Sequence, residues 1–242
     1  MHDHLSLGIA LYDPRQHRSL AFVYDADPGV VCRLYDGIVL WSLGYPERGR
    51  ERMREALALA SELSHPHSVA FAFVFAALLE RVSGDTPSAR EHAHAAVLLA
   101  SEHGIAQWLA AATVLLGSVL ALEGEQGAGI ERIHHGIAAW RAASAEILRP
   151  FWRALLAEAC RECGDYRGGL RALDEALTLI SRAGEHWYEP EVLRLKGELM
   201  LALSPADRDG AQECFERALT IARQQAARSW ELGISVSLSR LW

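Results

Sequence analysis

The chain has 242 residues, is half hydrophobic and carries a formal net charge of −7. This composition can bury a core and is not that of a disordered chain. Nucleic-acid-binding domains usually have a basic balance, so the acidic charge predicts no nucleic-acid partner. The four cysteines form no dense framework, the first residues form no signal peptide, and the apolar runs suit buried helices, so we expect a cytoplasmic chain outside the membrane.

A glycine recurs every 40 residues along most of the chain, at Gly44, Gly84, Gly124 and Gly164. Three further columns of small residues keep the same step. They are Gly37, Ala77, Gly117, Ala157 and Gly197; Gly49, Ala89, Gly129 and Gly169; and Ala56, Ala96, Gly136 and Ala176. A fixed period of this length is typical of a helical solenoid or array. Such proteins usually work through an extended surface, so a compact catalytic pocket is not expected.

In chain order, the pattern predicts three segments. Residues 1–29 form a partial preceding repeat and its connection, residues 30–227 form five helix hairpins, and residues 228–242 form an unpaired terminal helix. Apolar residues three and four apart indicate the helices. The partial repeat holds a helix over 5–12 and a longer connection over 13–27. The hairpins pair 30–43 with 47–63, 67–82 with 88–103, 105–123 with 128–144, 150–163 with 166–183, and 187–203 with 209–225.

The recurring small residues have two physical reasons. Glycine at the end of a first helix takes the left-handed conformation that ends many helices. Small residues within the helices allow two antiparallel helices to approach closely where they cross. The fifth hairpin breaks the register, because Ser204 replaces the glycine and its turn gains two residues.

Two of the hairpins carry the same spaced series of four residues: two small residues, then a bulky apolar residue, then an alanine. The matching residues are Gly37, Gly49, Met53 and Ala56 in the first hairpin, and Gly197, Ala211, Phe215 and Ala218 in the fifth. This pattern resembles the tetratricopeptide repeat, although that unit has 34 residues and this one has 40. The resemblance implies an all-α, right-handed superhelix of antiparallel helix hairpins.

A second resemblance covers nearly the whole chain and rests on its C-terminal half. Its residues include Gly168-Gly169-Leu170, Ala176-Leu177 and Leu195-Lys196-Gly197-Glu198. They are similar to the C-terminal repeat region of large bacterial signalling ATPases, nucleotide cyclases and LuxR-type regulators. This resemblance implies a regulatory arm that follows an upstream ATPase or cyclase domain in the same chain.

Both ends of the sequence indicate an excised or truncated array. Terminal repeats of a free-standing solenoid usually present a polar face. The last segment instead carries Trp230, Leu232, Ile234, Val236, Leu238 and Trp242. We therefore expect this end to continue into further repeats, to be covered by a partner, or to form a homodimer.

Three patterns could carry chemistry, and each is better explained structurally. Cys160-x-x-Cys163 has the spacing of a redox pair or half a zinc site, but no second pair is present and Cys160 falls in a core column. The eleven histidines favour solvated positions at helix ends. The glycine-rich run over 124–129 lacks the lysine of a phosphate loop. We expect no metal, no cofactor and no catalytic residue.

The functional surface is expected on one face of the first helices, which line the concave groove of tetratricopeptide arrays. We call the predicted residues the first-helix face. They are Leu34, Ile38, Trp41, Phe71, Val74, Leu78, Arg81, Ser118, Phe151, Glu158, Arg161, Arg194 and Glu198, with Val114 and Glu191 beside them. A face that is apolar at one end and charged at the other suits an amphipathic helix or peptide. The alternative is that some of these residues pack against neighbouring helices.

The sequence thus predicts a non-catalytic protein-interaction and scaffold module in a bacterial signalling protein. A protein or peptide is the expected partner. The alternative is a sensor that binds a small molecule or peptide near Trp41, Phe71 and Trp108. An enzyme would need a convergent polar constellation, which the sequence does not indicate.

Overall fold

The computed structural model describes residues 1–241, which are helical with short turns and contain no β-strand. The helices are α1 (His2–Leu11), α2 (Pro14–His17), α3 (Ala21–Tyr24), α4 (Pro28–Ser42), α5 (Pro46–Leu63), α6 (Pro66–Ser83), α7 (Thr86–Glu102), α8 (Ala106–Leu122), α9 (Gln126–Ala142), α10 (Arg149–Glu162), α11 (Tyr166–Ala183), α12 (Glu189–Leu203), α13 (Arg208–Gln224) and α14 (Arg228–Leu241). Trp242, predicted to end the terminal helix, lies outside the described residues.

The chain divides into two compact units, with the boundary between Leu116 and Gly117 inside α8. In the first unit, α4 pairs with α5 and α6 with α7, while α1 packs on α4 and α5 on α6. In the second unit, α10 pairs with α11 and α12 with α13, α9 packs on α10, and α14 packs on α12 and α13. The predicted all-α fold of antiparallel helix hairpins is confirmed.

Aspartate side chains cap the N-termini of several of these helices. Asp27 precedes α4, and its carboxylate accepts hydrogen bonds from the backbone N–H groups of Gly29 and Val30 at 2.9 and 3.1 Å. Asp85 and Asp165 cap α7 and α11 in the same way. The first N–H groups of a helix have no partner within it, so each carboxylate satisfies donors that would otherwise be lost.

Each of the four predicted glycine turns closes with the same backbone hydrogen bond. At Gly84, φ is +81°, and the N–H of Asp85 donates to the carbonyl of Glu80 at 2.9 Å. This is the bond of a Schellman turn, which requires a left-handed residue before the donor. The equivalent bonds join Tyr45 to Leu40, Glu125 to Leu120 and Asp165 to Cys160, each at 2.9 Å.

A second series of left-handed residues ends the second helices, and the sequence analysis did not predict it. Its members, with φ between +52° and +71°, are Ser64, Gly104, Ser144, Gly184 and Ala226. Only two of the five are glycine, so residue type alone gave no signal. A non-glycine residue in this conformation costs roughly 1–2 kcal/mol.

The small columns lie where paired helices cross. In the second unit, a methyl group added at Gly129 would lie 2.6 Å from the carbonyl oxygen of Gly117 and 2.7 Å from the backbone nitrogen of Ala121. In the first unit, one added at Gly49 would lie 2.7 Å from the carbonyl oxygen of Gly37. Backbone therefore lies against backbone at these crossings, and no side chain fits between them.

The segment over 13–27, predicted as a longer connection, is partly helical. It contains α2, a 3-10 turn over Arg18–Leu20 and α3. Asp13 starts the first of these, because its side chain accepts from the N–H of Arg15 and Pro14 fixes the first helical φ. Local capping thus converts the connection into short helical turns.

The close helix crossing predicts a contrast between two glycines of α9. Gly129→Ala should lower the free energy of unfolding by about 1–3 kcal/mol, because the added methyl group meets backbone atoms that cannot yield. Gly127→Ala, where a methyl group meets nothing within 4 Å, should cause no loss. Urea unfolding followed by circular dichroism measures both. Equal destabilisation by the two variants would contradict a backbone crossing at Gly129.

Candidate functional site

In the first unit, most residues of the first-helix face are buried inside the protein. The buried members are Leu34, Trp41, Phe71, Val74 and Leu78, while Ile38 and Arg81 are half-buried. Packing against neighbouring helices, the alternative in the sequence analysis, thus describes the apolar members. Ile38 and Arg81 are the members here that retain exposed surface for a partner.

An aromatic cluster occupies the place where the alternative small-ligand site was expected. Phe71 and Trp108 stack with ring centroids 4.4 Å apart and planes 9° apart, and Phe75 meets Phe71 edge-on at 4.7 Å. Trp41, Phe71 and Trp108 are at most 6% exposed. A ligand at these rings would have to displace side chains that already contact one another, and the sensor hypothesis stays a prediction.

A histidine lies at the edge of this cluster. The indole Nε1 of Trp108 lies 3.1 Å from Nε2 and 3.5 Å from Nδ1 of His67, so its N–H approaches the ring between the two nitrogens. Burial lowers the pKa of His67. A neutral imidazole has one nitrogen that accepts a hydrogen bond, whereas the protonated ring has none, so the contact with Trp108 requires the neutral form.

In the second unit, the first-helix face has a buried part and a charged part. Ser118, Phe151 and Glu158 are buried, and Phe151 lies within 5.6 Å of the rings of Trp152, Trp187 and Tyr188, centroid to centroid. The charged residues Arg161, Arg194 and Glu198 are half-buried. These three are brought together by direct ion pairs.

Arg194 is the centre of this charged cluster. Its Nε and Nη2 atoms donate to the two carboxylate oxygens of Glu191 at 2.7 and 2.6 Å, a bidentate geometry typical of an ionised pair. Its Nη1 atom also donates to Glu198. Burial alone would lower the pKa of Arg194, but these hydrogen bonds and the charges of Glu191, Glu198 and Glu158 raise it, so the guanidinium stays charged.

Two further helices contribute to the charged cluster. From α10, Arg161 donates to Glu198 at 3.1 Å and also pairs with Glu162. From α14, the hydroxyl of Ser237 donates to Glu198 at 2.8 Å and accepts from Arg194 at 3.2 Å. Sequence reasoning missed Ser237, which lies 39 residues after Glu198, close to one repeat step. That spacing was the signal that could have identified it.

Carboxylates outnumber guanidinium groups in the charged cluster. Glu158, Glu162, Glu191 and Glu198 lie beside Arg161 and Arg194, and the carboxylates of Glu158 and Glu191 are buried. An excess of negative charge beside partly exposed polar atoms suits a cationic group, such as a lysine or arginine side chain of a bound peptide. The arrangement thus offers charge recognition and hydrogen bonding.

The Cys160-x-x-Cys163 pair is part of the helix end. Cys160 is buried, and the thiol of Cys163 donates to the carbonyl of Cys160 at 3.3 Å. Burial raises the pKa of Cys160 to about 11. Since the thiolate is the reactive form, Cys160 is held as a thiol at neutral pH.

Residues 1–241 contain neither a metal-binding cluster nor a membrane-spanning helix. No group of three or more histidine, cysteine, aspartate or glutamate residues in this range is placed to hold a metal ion. Among its helices, none combines the length and the apolar character needed to cross a lipid bilayer.

Comparison with known proteins supports the fold. No protein-family model matches the chain, and no curated protein does. The chain is similar to PlcR from Bacillus thuringiensis, whose crystal structure contains the peptide PapR7 and DNA, with a TM-score of 0.67, 12% identity, and coverage of 85% of this chain and 73% of that one. It is also similar to BtubC (BKLC) from P. vanneervenii, with a TM-score of 0.55, 17% identity, and coverage of 92% and 90%. At these identities the likeness shows a shared helical-repeat fold.

The charged cluster predicts a large effect of removing its central cation. Arg194→Leu should lower the free energy of unfolding by about 3 kcal/mol, because Glu191 is left as an uncompensated buried charge. The double variant Glu191→Leu/Arg194→Leu should lose less, since both members of the bidentate pair are removed together. Chemical unfolding of both proteins provides the comparison. A double variant as unstable as the single one would show that lost packing, not the orphaned charge, determines the effect.

The contact between His67 and Trp108 predicts an acid-sensitive contribution to stability. The pKa of His67 is lower in the folded state than its ordinary value of 6.5, so the unfolded chain takes up the proton first. This contribution should be complete above pH 6.5 and decline as the pH falls below it. His67→Gln keeps an acceptor and does not titrate, so its stability should fall less between pH 7 and pH 5. If the free energies of unfolding of the two proteins fall by the same amount between pH 7 and pH 5, the assignment is contradicted.

Proposed function

We propose that this chain is a non-catalytic interaction and regulatory module that holds a partner peptide or helix on the first-helix face. The observation that carries the proposal is the charged cluster of α10, α12 and α14. Arg161 and Glu198 keep 32% and 24% of their side-chain surface exposed beside a largely buried face. Partly exposed, mutually oriented charges on neighbouring helices suit recognition of a short segment.

The charge excess specifies the kind of segment. Four carboxylates against two guanidinium groups favour a peptide with at least one basic residue, which would pair with Glu198. The complex of PlcR with PapR7 supports a peptide partner, since it concerns a protein of the same fold. Because that complex also contains DNA, the expectation that this chain has no nucleic-acid partner stays a prediction.

The biological setting in the proposal rests on the sequence resemblance. The chain would be the arm of a cytoplasmic bacterial signalling protein, following an ATPase or cyclase domain. A partner that binds one conformation of the array better than another would shift the population of states and so regulate the attached domain. A homodimer through α14 is the alternative assembly, supported by exposed Leu232 and Val236 on that helix.

Peptide selection followed by affinity measurement tests the proposal. A random peptide library panned on the purified chain should yield basic sequences, whose affinities are then measured by fluorescence anisotropy. Glu198→Gln should weaken their binding about tenfold, the equivalent of 1.4 kcal/mol, whereas Arg161→Ala should strengthen it by removing a competing cation. Glu213→Gln, which removes an exposed carboxylate of α13, is the matched control and should change nothing.

Two results would overturn the proposal. Selected peptides that bind all three variants with wild-type affinity would exclude the charged cluster as the binding site. A library that yields no specific peptide would exclude peptide recognition by this face.

A further inference from the structure

Glu198 is the acceptor that the proposed function gives to a basic side chain of the partner, and its two oxygens differ. Oε1 accepts from Nη1 of Arg194 and from the hydroxyl of Ser237, the latter at 2.8 Å. Oε2 accepts from Nη1 of Arg161 at 3.1 Å. A carboxylate oxygen has two acceptor positions. Within residues 1–241, both positions on Oε1 are therefore taken, whereas Oε2 keeps one.

Arg161 shows how this asymmetry limits a guanidinium. It reaches Glu198 through Nη1 alone, and its Nε and Nη2 atoms donate to Oε1 of Glu162 at 3.2 and 3.0 Å. The contact of Arg194 with Glu191 is different, because two nitrogens of that guanidinium donate to the two oxygens of one carboxylate. Glu198 thus accepts a single nitrogen from the guanidinium on its outer oxygen, where Glu191 accepts two.

The cation on Oε2 is the one that a ligand can replace. The side chain of Arg161 is 32% exposed, and two of its nitrogens stay on the partly exposed Glu162 when it leaves Glu198. Ion pairs between such exposed groups contribute little. Arg194 is held more firmly, because it is less exposed and pairs bidentately with a buried carboxylate. A cation from a partner can therefore take the place of Arg161 on Oε2, while Oε1 stays occupied.

We infer that Glu198 selects the ammonium group of a lysine over the guanidinium of an arginine, and that Ser237 sets this preference. The inference rests on the proposed function. An ammonium group is a compact point charge that can bind Oε2 alone. The planar fork of a guanidinium binds a carboxylate through two parallel hydrogen bonds. Its second nitrogen would here face Oε1, where Arg194 and Ser237 already donate, so arginine loses its bidentate contact.

Ser237 acts through Glu198 and is a positioning residue. It is buried on α14, and its hydroxyl fills one of the two positions on Oε1 while accepting from Arg194 at 3.2 Å. Ser237→Ala opens that position to a second donor from the ligand. An arginine of the partner then gains its parallel pair of hydrogen bonds, while a lysine keeps its single contact with Oε2.

Paired peptide libraries test the inference. One has a central lysine and the other a central arginine, and all other positions are drawn from uncharged residues. Both are panned on the purified chain, and each selected peptide is synthesised in a lysine and an arginine form for fluorescence anisotropy. The lysine form should bind about three- to tenfold more tightly, which corresponds to the net contribution of one hydrogen bond.

Variants of α14 isolate the role of Ser237. Ser237→Ala should abolish the preference by improving the binding of the arginine forms, whereas Ser237→Thr keeps the hydroxyl and should retain it. Ser235→Ala, the same change at an exposed serine of this helix, is the control and should leave the ratio of the two affinities unchanged. If Ser237→Ala alters both affinities by the same factor, its role is merely structural and the assignment is overturned.

Failure of the inference is distinguishable from failure of the proposed function. If arginine forms bind as tightly as lysine forms and Glu198→Gln still weakens both, the preference is wrong and the proposed function stands. If neither library yields a peptide, or Glu198→Gln leaves the affinity of the selected peptides unchanged, the charged cluster does not bind basic peptides. That result overturns both.

Discussion

The close contact between paired helices is the constraint on which the rest of the fold depends. At Gly117 and Gly129 the approach is so tight that a single methyl group has no room. Because backbone atoms set this distance, the two helices cannot rotate or slide without a clash. The crossing therefore determines which residues of each helix face inward. In the first unit the same constraint brings Trp41 beside Gly49 and buries the indole.

The helix pairs and their turns could be predicted from the sequence because they depend on local residue types. Glycine is the residue that adopts a left-handed turn without strain, so its recurrence at Gly84 and its equivalents marked the turns. The ends of the second helices could not be found in this way. Ser64, Ser144 and Ala226 adopt the same conformation, and these residue types rarely do so, so they gave no local signal.

The site could be predicted less completely, for a different physical reason. Counting along a helix places residues on a face, but it does not reveal what covers that face. Leu34, Val74 and Phe151 have the right register and are fully buried by their neighbours. The pairing of Arg194 with Ser237 joins helices from successive repeats, and the ion pair of Arg161 with Glu198 joins α10 to α12. Such arrangements follow from tertiary packing, which the repeat spacing alone does not specify.

The turn after α12 has a practical consequence. This turn holds the two added residues of the fifth hairpin, and its residues from Ser204 to Asp207 are exposed. The flanking helices still meet at Gly197, where an added methyl group would lie 2.6 Å from the ring of Phe215. Extra length at an exposed turn is tolerated because no crossing backbone has to move. An epitope tag or a fluorescent label inserted between Ser204 and Asp207 would therefore report on this array while leaving its helix pairs intact.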